Sequence, residues 1–189
     1  MKRRHFLQAS LAALPLAAAP AALGAAAPPD RATKGFKASA GEGRLHGHIQ
    51  LKGVNQNILD VKVSGRDTGG DLAIFEQTSL SQGRGTPLHV HPRQDEIFHV
   101  LDGEYAFRVG EDHYRLTAGD VVFLPRNVPH AWTQISPRGK MSVTVQPAGQ
   151  LEEFFVTMAA LKTEPTPQEI AQIFAAHDMK VVGPPLKVD

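Results

Sequence analysis

From Gly41 onward the chain runs in short segments where apolar and polar residues alternate or β-branched residues cluster. These are Leu45 to Leu51, Ile58 to Val63, Leu72 to Ser79, Leu88 to His91, Glu96 to Leu101, Tyr105 to Val109, His113 to Leu116, Val121 to Leu124, Ala131 to Ile135 and Met141 to Val145. A period of two sends successive side chains to opposite faces of a strand, so each run predicts a strand with one face toward a core. Turn formers separate the runs, for example Ser64-Gly65-Arg66-Asp67-Thr68-Gly69-Gly70, Leu101-Asp102-Gly103-Glu104 and Pro137-Arg138-Gly139. Strands this short and this evenly spaced predict an all-β antiparallel barrel or sandwich over residues 41–148. After Pro147-Ala148-Gly149 the period lengthens. Leu151, Phe154, Phe155 and Met158 recur at helical spacing and predict a short helix packed on the barrel. A second helix starts with Thr166 as N-cap, Pro167 at its first position and Glu169 closing a capping box, and carries Ile170, Ile173, Phe174 and His177 on one face. Residues 149–189 are thus expected to form a helical extension, with Val182-Gly183-Pro184-Pro185 stopping the second helix.

A chain of 189 residues builds one core of ordinary size. Its first residues differ in texture from the rest. Arg3-Arg4-His5-Phe6-Leu7 precedes an Ala- and Leu-rich run that contains Pro15 and Pro20 and ends in small residues near Gly24 to Ala27. The run is too weakly apolar for a stable membrane anchor, and it resembles a twin-arginine export signal. Residues 1–26 are therefore expected to be removed during export by the twin-arginine translocase to the periplasm or beyond. Residues 27–40 are expected to be a linker or an N-terminal arm. Removal takes away Lys2, Arg3 and Arg4 and no acid, leaving 17 basic residues against 19 acidic ones, so the formal net charge falls from +1 to −2. No basic footprint for nucleic acid is present. The chain has no cysteine, so no disulfide contributes to the fold.

The chemistry concentrates in Gly83 to Gly103. His89 and His91 lie two apart on a strand and project from one face. Glu96 lies an odd number of residues further on, but Pro92-Arg93-Gln94 permits a break in register that returns it to the inner face. A second stretch, Gly119 to His130, brings another imidazole to the start of a strand. Three neutral imidazoles and a carboxylate suit Mn, Fe, Co, Ni, Cu or Zn, and the lack of thiolates excludes an iron–sulfur site. The other histidines read differently: His46 and His48 share a strand face at a surface or dimer edge, His99 points away from Glu96, His113 is solvated in a hairpin turn, and His177 packs or is solvated.

Both stretches resemble the two motifs of the cupin superfamily. Gly83, His89, His91, Glu96 and Gly103 meet every fixed position of the first; Gly119, Pro125 and His130 meet the second, where Asn127 stands for a glycine and Gln134 for an asparagine. The resemblance implies a jelly-roll (double-stranded β-helix) barrel holding one divalent metal ion through His89, His91, Glu96 and His130. The run Asp60 to Gly70, the motif region and the ending Val182 to Leu186 are similar to short proteins related to quercetin dioxygenases. That similarity implies a metal-dependent dioxygenase acting on a small enolic or phenolic substrate, with Glu96 both ligand and catalytic base, dioxygen as co-substrate, and Phe98, Phe107, Val122 and Trp132 as an apolar pocket. An isomerase, lyase or decarboxylase on the same metal site, or a non-catalytic binding module, remains open. Cupins commonly form dimers, and a homodimer through the strands before the first motif is expected here. Zn and Cu bind such a site more tightly than Mn or Fe, so folding in a compartment that buffers Zn and Cu favours Mn or Fe.

Overall fold

In the computed structural model the described residues are 31–188. The export signal expected over residues 1–26 and the start of the arm lie outside them. The strands are β1 (Ile49–Gln50), β2 (Ile58–Val63), β3 (Ala73–Ser79), β4 (Pro87–Val90), β5 (Asp95–Asp102), β6 (Glu104–Val109), β7 (Asp112–Thr117), β8 (Val121–Leu124), β9 (His130–Gln134) and β10 (Gly139–Gln146), followed by helices α1 (Leu151–Ala159) and α2 (Pro167–Ala176) and a last strand, β11 (Lys180–Pro185). They form two antiparallel sheets, ordered β1-β2-β3-β10-β5-β8 and β11-β4-β9-β6-β7. The chain thus has the jelly-roll architecture of a cupin, with two short helices after the barrel.

The period-two runs form the inner walls. In β3 the buried residues are Ala73, Phe75, Gln77 and Ser79; in β5 they are Glu96, Phe98 and Val100; in β6, Tyr105, Phe107 and Val109. Leu59, Phe75, Tyr105, Phe107, Leu124 and Met141 are fully enclosed, and burying each large apolar side chain contributes about 1.5–3 kcal/mol. The capping box at Thr166 and Glu169 forms as the sequence predicts. Phe154 and Met158 of α1 and Phe174 of α2 are buried against the barrel.

Two expectations need correction. His46 and His48 do not share a strand face, because β1 begins only at Ile49; His46 adopts a left-handed φ of 62° and bonds Glu152, whereas His48 bonds Asp60. The segment Val182-Gly183-Pro184-Pro185, expected only to stop the helix, lies in β11 and pairs with β4. Its prolines fit there because β11 is an edge strand, where a missing N–H costs little.

Candidate metal centre

The two motifs meet where β4 and β9 of one sheet face β5 of the other. β4 carries His89, and His91 follows it directly; β9 opens with His130, which pairs in register with His89. Glu96 comes from the other sheet, where it is the second residue of β5. The odd offset from His91 to Glu96 is resolved by this change of sheet: residues Pro92 to Gln94 carry the chain across, and inward parity starts again in β5. Asn127 occupies the left-handed region at φ 65°, as an asparagine replacing glycine can. Its N–H donates to the His91 carbonyl at 2.9 Å, which ties the turn before His130 to the first motif. Gln134, in place of the motif's asparagine, is enclosed; its Oε1 accepts from the Ser81 N–H and its Nε2 donates to the Ser136 carbonyl.

His89, His91, Glu96 and His130 are each at most 5 % exposed, and one ligand atom from each lies within 4.8 Å of the others. The tautomers follow from the outer partners. His89 Nδ1 lies 2.8 Å from the Pro87 carbonyl and His130 Nδ1 3.1 Å from the Val128 carbonyl. His91 Nδ1 lies 3.1 Å from Gln94 Oε1, whose orientation is set because Gln94 Nε2 faces the carbonyls of Pro147 and Ala148. All three partners only accept, so each Nδ1 carries the proton and each Nε2 presents a lone pair.

Those lone pairs converge on a carboxylate. Glu96 Oε2 is 3.1 Å from His130 Nε2 and 3.7 Å from His91 Nε2. His130 Nε2 is buried and makes no hydrogen bond. Acceptors facing acceptors in a dry site are repulsive unless a cation sits among them. Three nitrogens, one carboxylate and fixed outer hydrogen bonds fit a divalent transition metal, which this group can hold. Burial pushes the Glu96 carboxyl up, but the His91 and His130 imidazoles, when protonated, outweigh it and hold it down at about 2. Burial, with repulsion from His130 and His91, pushes His89 well below its ordinary value, so it is neutral near pH 7.

His89, His91 and Glu96 line a cavity of about 60 Å³ whose walls also include Leu59, Phe98, Trp132, Phe154 and Phe174. Phe98 and Trp132, two of the four apolar residues expected at a pocket, line it. Phe107 packs edge-on behind Phe98, 5.3 Å between centroids, and Val122 is a buried residue of β8; both belong to the barrel core and not to the cavity wall. Phe174 of α2 stands edge-on to the His89 ring at 5.2 Å and covers the centre. Sequence reasoning missed this role for α2, and it missed Gln94, which reads as a plain turn former. His99 faces solvent, as does His113, although His113 sits within β7 and not in a turn; His177 caps α2 through the Ile173 carbonyl.

Residues 77–146 match the family model described as "Cupin domain". A quercetin 2,3-dioxygenase of Bacillus subtilis (strain 168) is 34 % identical over 88 residues, 46 % of this chain, and the match spans 25 % of that relative's length. Among solved structures, KdgF from a Halomonas species superposes with a TM-score of 0.44 at 21 % identity, covering 48 % of this chain and 78 % of that one. An RmlC-like cupin from Shewanella frigidimarina NCIMB 400 gives 0.44 at 23 % identity, with 52 % and 83 % covered. The DMSP lyase DddQ from Ruegeria pomeroyi DSS-3 gives 0.41 at 27 %, with 47 % and 45 % covered. The two-sheet barrel and the converging motif residues agree with the match of residues 77–146 to the cupin domain and with a distant homology to a quercetin 2,3-dioxygenase.

Proposed function

We propose that the domain is a metal-dependent dioxygenase acting on a small enolic or phenolic substrate, with Glu96 as the base. One observation carries the reading. Glu96 turns Oε2 toward the imidazoles and accepts no hydrogen bond from any group among the described residues, yet it lies on the cavity wall. Its carboxylate therefore borders both the ligand set and the space a substrate would enter. When bound by His89, His91, Glu96 and His130, a divalent transition metal supplies Lewis-acid polarisation of a chelating oxygen pair and a route for electrons to dioxygen.

The protein's own residues do the rest. The Glu96 carboxylate takes the proton of the enol or phenol as the substrate docks, leaving an electron-rich anion for dioxygen. Phe98, Trp132, Phe154 and Phe174 keep water away from that anion. The homology to a quercetin 2,3-dioxygenase supports dioxygen as co-substrate, but about 60 Å³ is far below the roughly 300 Å³ at which sites for drug-sized ligands begin. A single ring or a short diketone suits the chamber better than a three-ring flavonol.

Oxygen uptake by metal-loaded protein with a panel of diketones, catechols and hydroxypyrones tests the reading. Wild type should consume dioxygen with at least one class. Glu96→Gln, which keeps the size but loses the basicity, should retain some metal and slow uptake at least about 100-fold. Wild-type rates in metal-loaded Glu96→Gln would remove the base assignment. No uptake with any class would point to non-oxidative chemistry or a binding module.

A further inference from the structure

Two polar side chains that the centre does not use face the same chamber. Gln77 is the third inward residue of β3 and is 4 % exposed; Asn55, in the β1–β2 loop, is 2 % exposed; both line the cavity. Gln77 Nε2 donates to Ser79 Oγ at 2.8 Å, and nothing among the described residues donates to Gln77 Oε1. Asn55 Oδ1 accepts from the Asn57 N–H at 3.1 Å, and Asn55 Nδ2 donates to nothing among the described residues. Both residues line the chamber, so these unused amide atoms are available to a molecule inside it.

Their position gives the direction. β10 runs between β3 and β5: Glu96 is opposite Val145 and Gln77 opposite Met141. Gln77 is thus four residues further along the barrel than Glu96, roughly 13 Å at the rise of a strand. β3 and β5 are also two strand spacings apart, roughly 9.6 Å, so Gln77 stands well away from Glu96 on the chamber wall.

We infer that Gln77 and Asn55 form the polar far end of the binding chamber and select small ligands that carry a hydroxyl opposite their chelating oxygen pair. Gln77 Oε1 accepts from that hydroxyl and Asn55 Nδ2 donates to it, while the apolar walls between them hold the ring. This substrate class rests on the metal centre proposed above.

Kojic acid and allomaltol are suitable probes, because they chelate through the same ring hydroxyl and carbonyl and differ only in a distal CH2OH or CH3. Calorimetric titration of Mn-loaded protein, freed of excess metal, should give about tenfold tighter binding of kojic acid. Gln77→Leu and Asn55→Ala should each bring the ratio toward one with metal content and allomaltol affinity preserved; Gln77→Met, closer in shape, gives the same test if the leucine variant does not fold. A ratio of one in wild type, an undiminished ratio in the Gln77 variants, or no binding of either probe by fully loaded wild type overturns the inference. Failure of the metal centre has a separate signature, wild-type protein that takes up no stoichiometric metal at all.

Discussion

Gln94 lies in a run of turn formers, and its amide connects the metal centre to a loop 54 residues away. It accepts from His91 and donates to the carbonyls of Pro147 and Ala148, so it fixes both the tautomer of His91 and the ring's aim. Gly149 makes room for it. A Cβ there would stand 2.5 Å from Gln94 Nε2, on a backbone already at φ 52°. Gln94→Ala should therefore keep the fold and weaken metal affinity by about 10–100-fold, as loss of an outer partner does in other metal sites. Gly149→Ala should push in the same direction by displacing the Gln94 amide. Metal titration against a competing chelator measures both, and unchanged affinity in Gln94→Ala would assign His91's orientation to packing alone. The ligands themselves were legible in the sequence because His-x-His, a glycine frame and the second motif are local patterns. Gln94 was not, since nothing near it in the chain names its partners.

The same contrast holds for the elements. Alternation finds β3, β5, β6 and β10 because one face of each is buried, and the capping box finds α2 because its signals lie within four residues. β11 offers neither signal: none of its residues is fully buried, and Gly183-Pro184-Pro185 argues for a break. The strand exists because β4 would otherwise be an open edge. Val181 pairs with His89 and Lys180 with Val90, and Thr133 Oγ1 of β9 donates to the Leu186 carbonyl at 2.6 Å. β11 thus backs the strand that holds a metal ligand. Ending the chain after Met179 should lower unfolding stability by at least about 2 kcal/mol, given roughly 1 kcal/mol net for each hydrogen bond lost. It should also accelerate metal release. A truncated protein that melts and holds metal like the full chain would show that the tail merely lies on the barrel.

At the scale of the whole molecule, three buried groups set the pH range over which the domain is stable. His89 is pushed well below the ordinary value near 6.5 by burial and by its neighbouring imidazoles. When the pH falls below about 6.5 the unfolded chain takes up a proton there that the folded chain refuses, so stability falls with a slope of about one proton. Glu96 acts in the same direction: held at about 2 when folded, against 4.5 when free, it contributes stability above pH 4.5 that is lost as the pH falls toward 2. Tyr105 sets the alkaline side. Burial, with the Asp102 charge adding to it and the Ser79 hydrogen bond opposing it, pushes its hydroxyl up to about 12. Between pH 10 and 12 the unfolded chain releases that proton first, which removes up to about 3 kcal/mol of stability. Metal adds a term of its own, because it binds the folded, deprotonated centre and not the unfolded chain. Urea unfolding of chelator-treated protein should therefore give a plateau from about pH 7 to 10 with both flanks falling. With metal bound, the plateau should rise and the acid flank steepen, because protons now compete with metal for the imidazoles, while the alkaline flank keeps its shape. Identical profiles with and without metal would mean that the four converging side chains do not bind an ion in the folded protein.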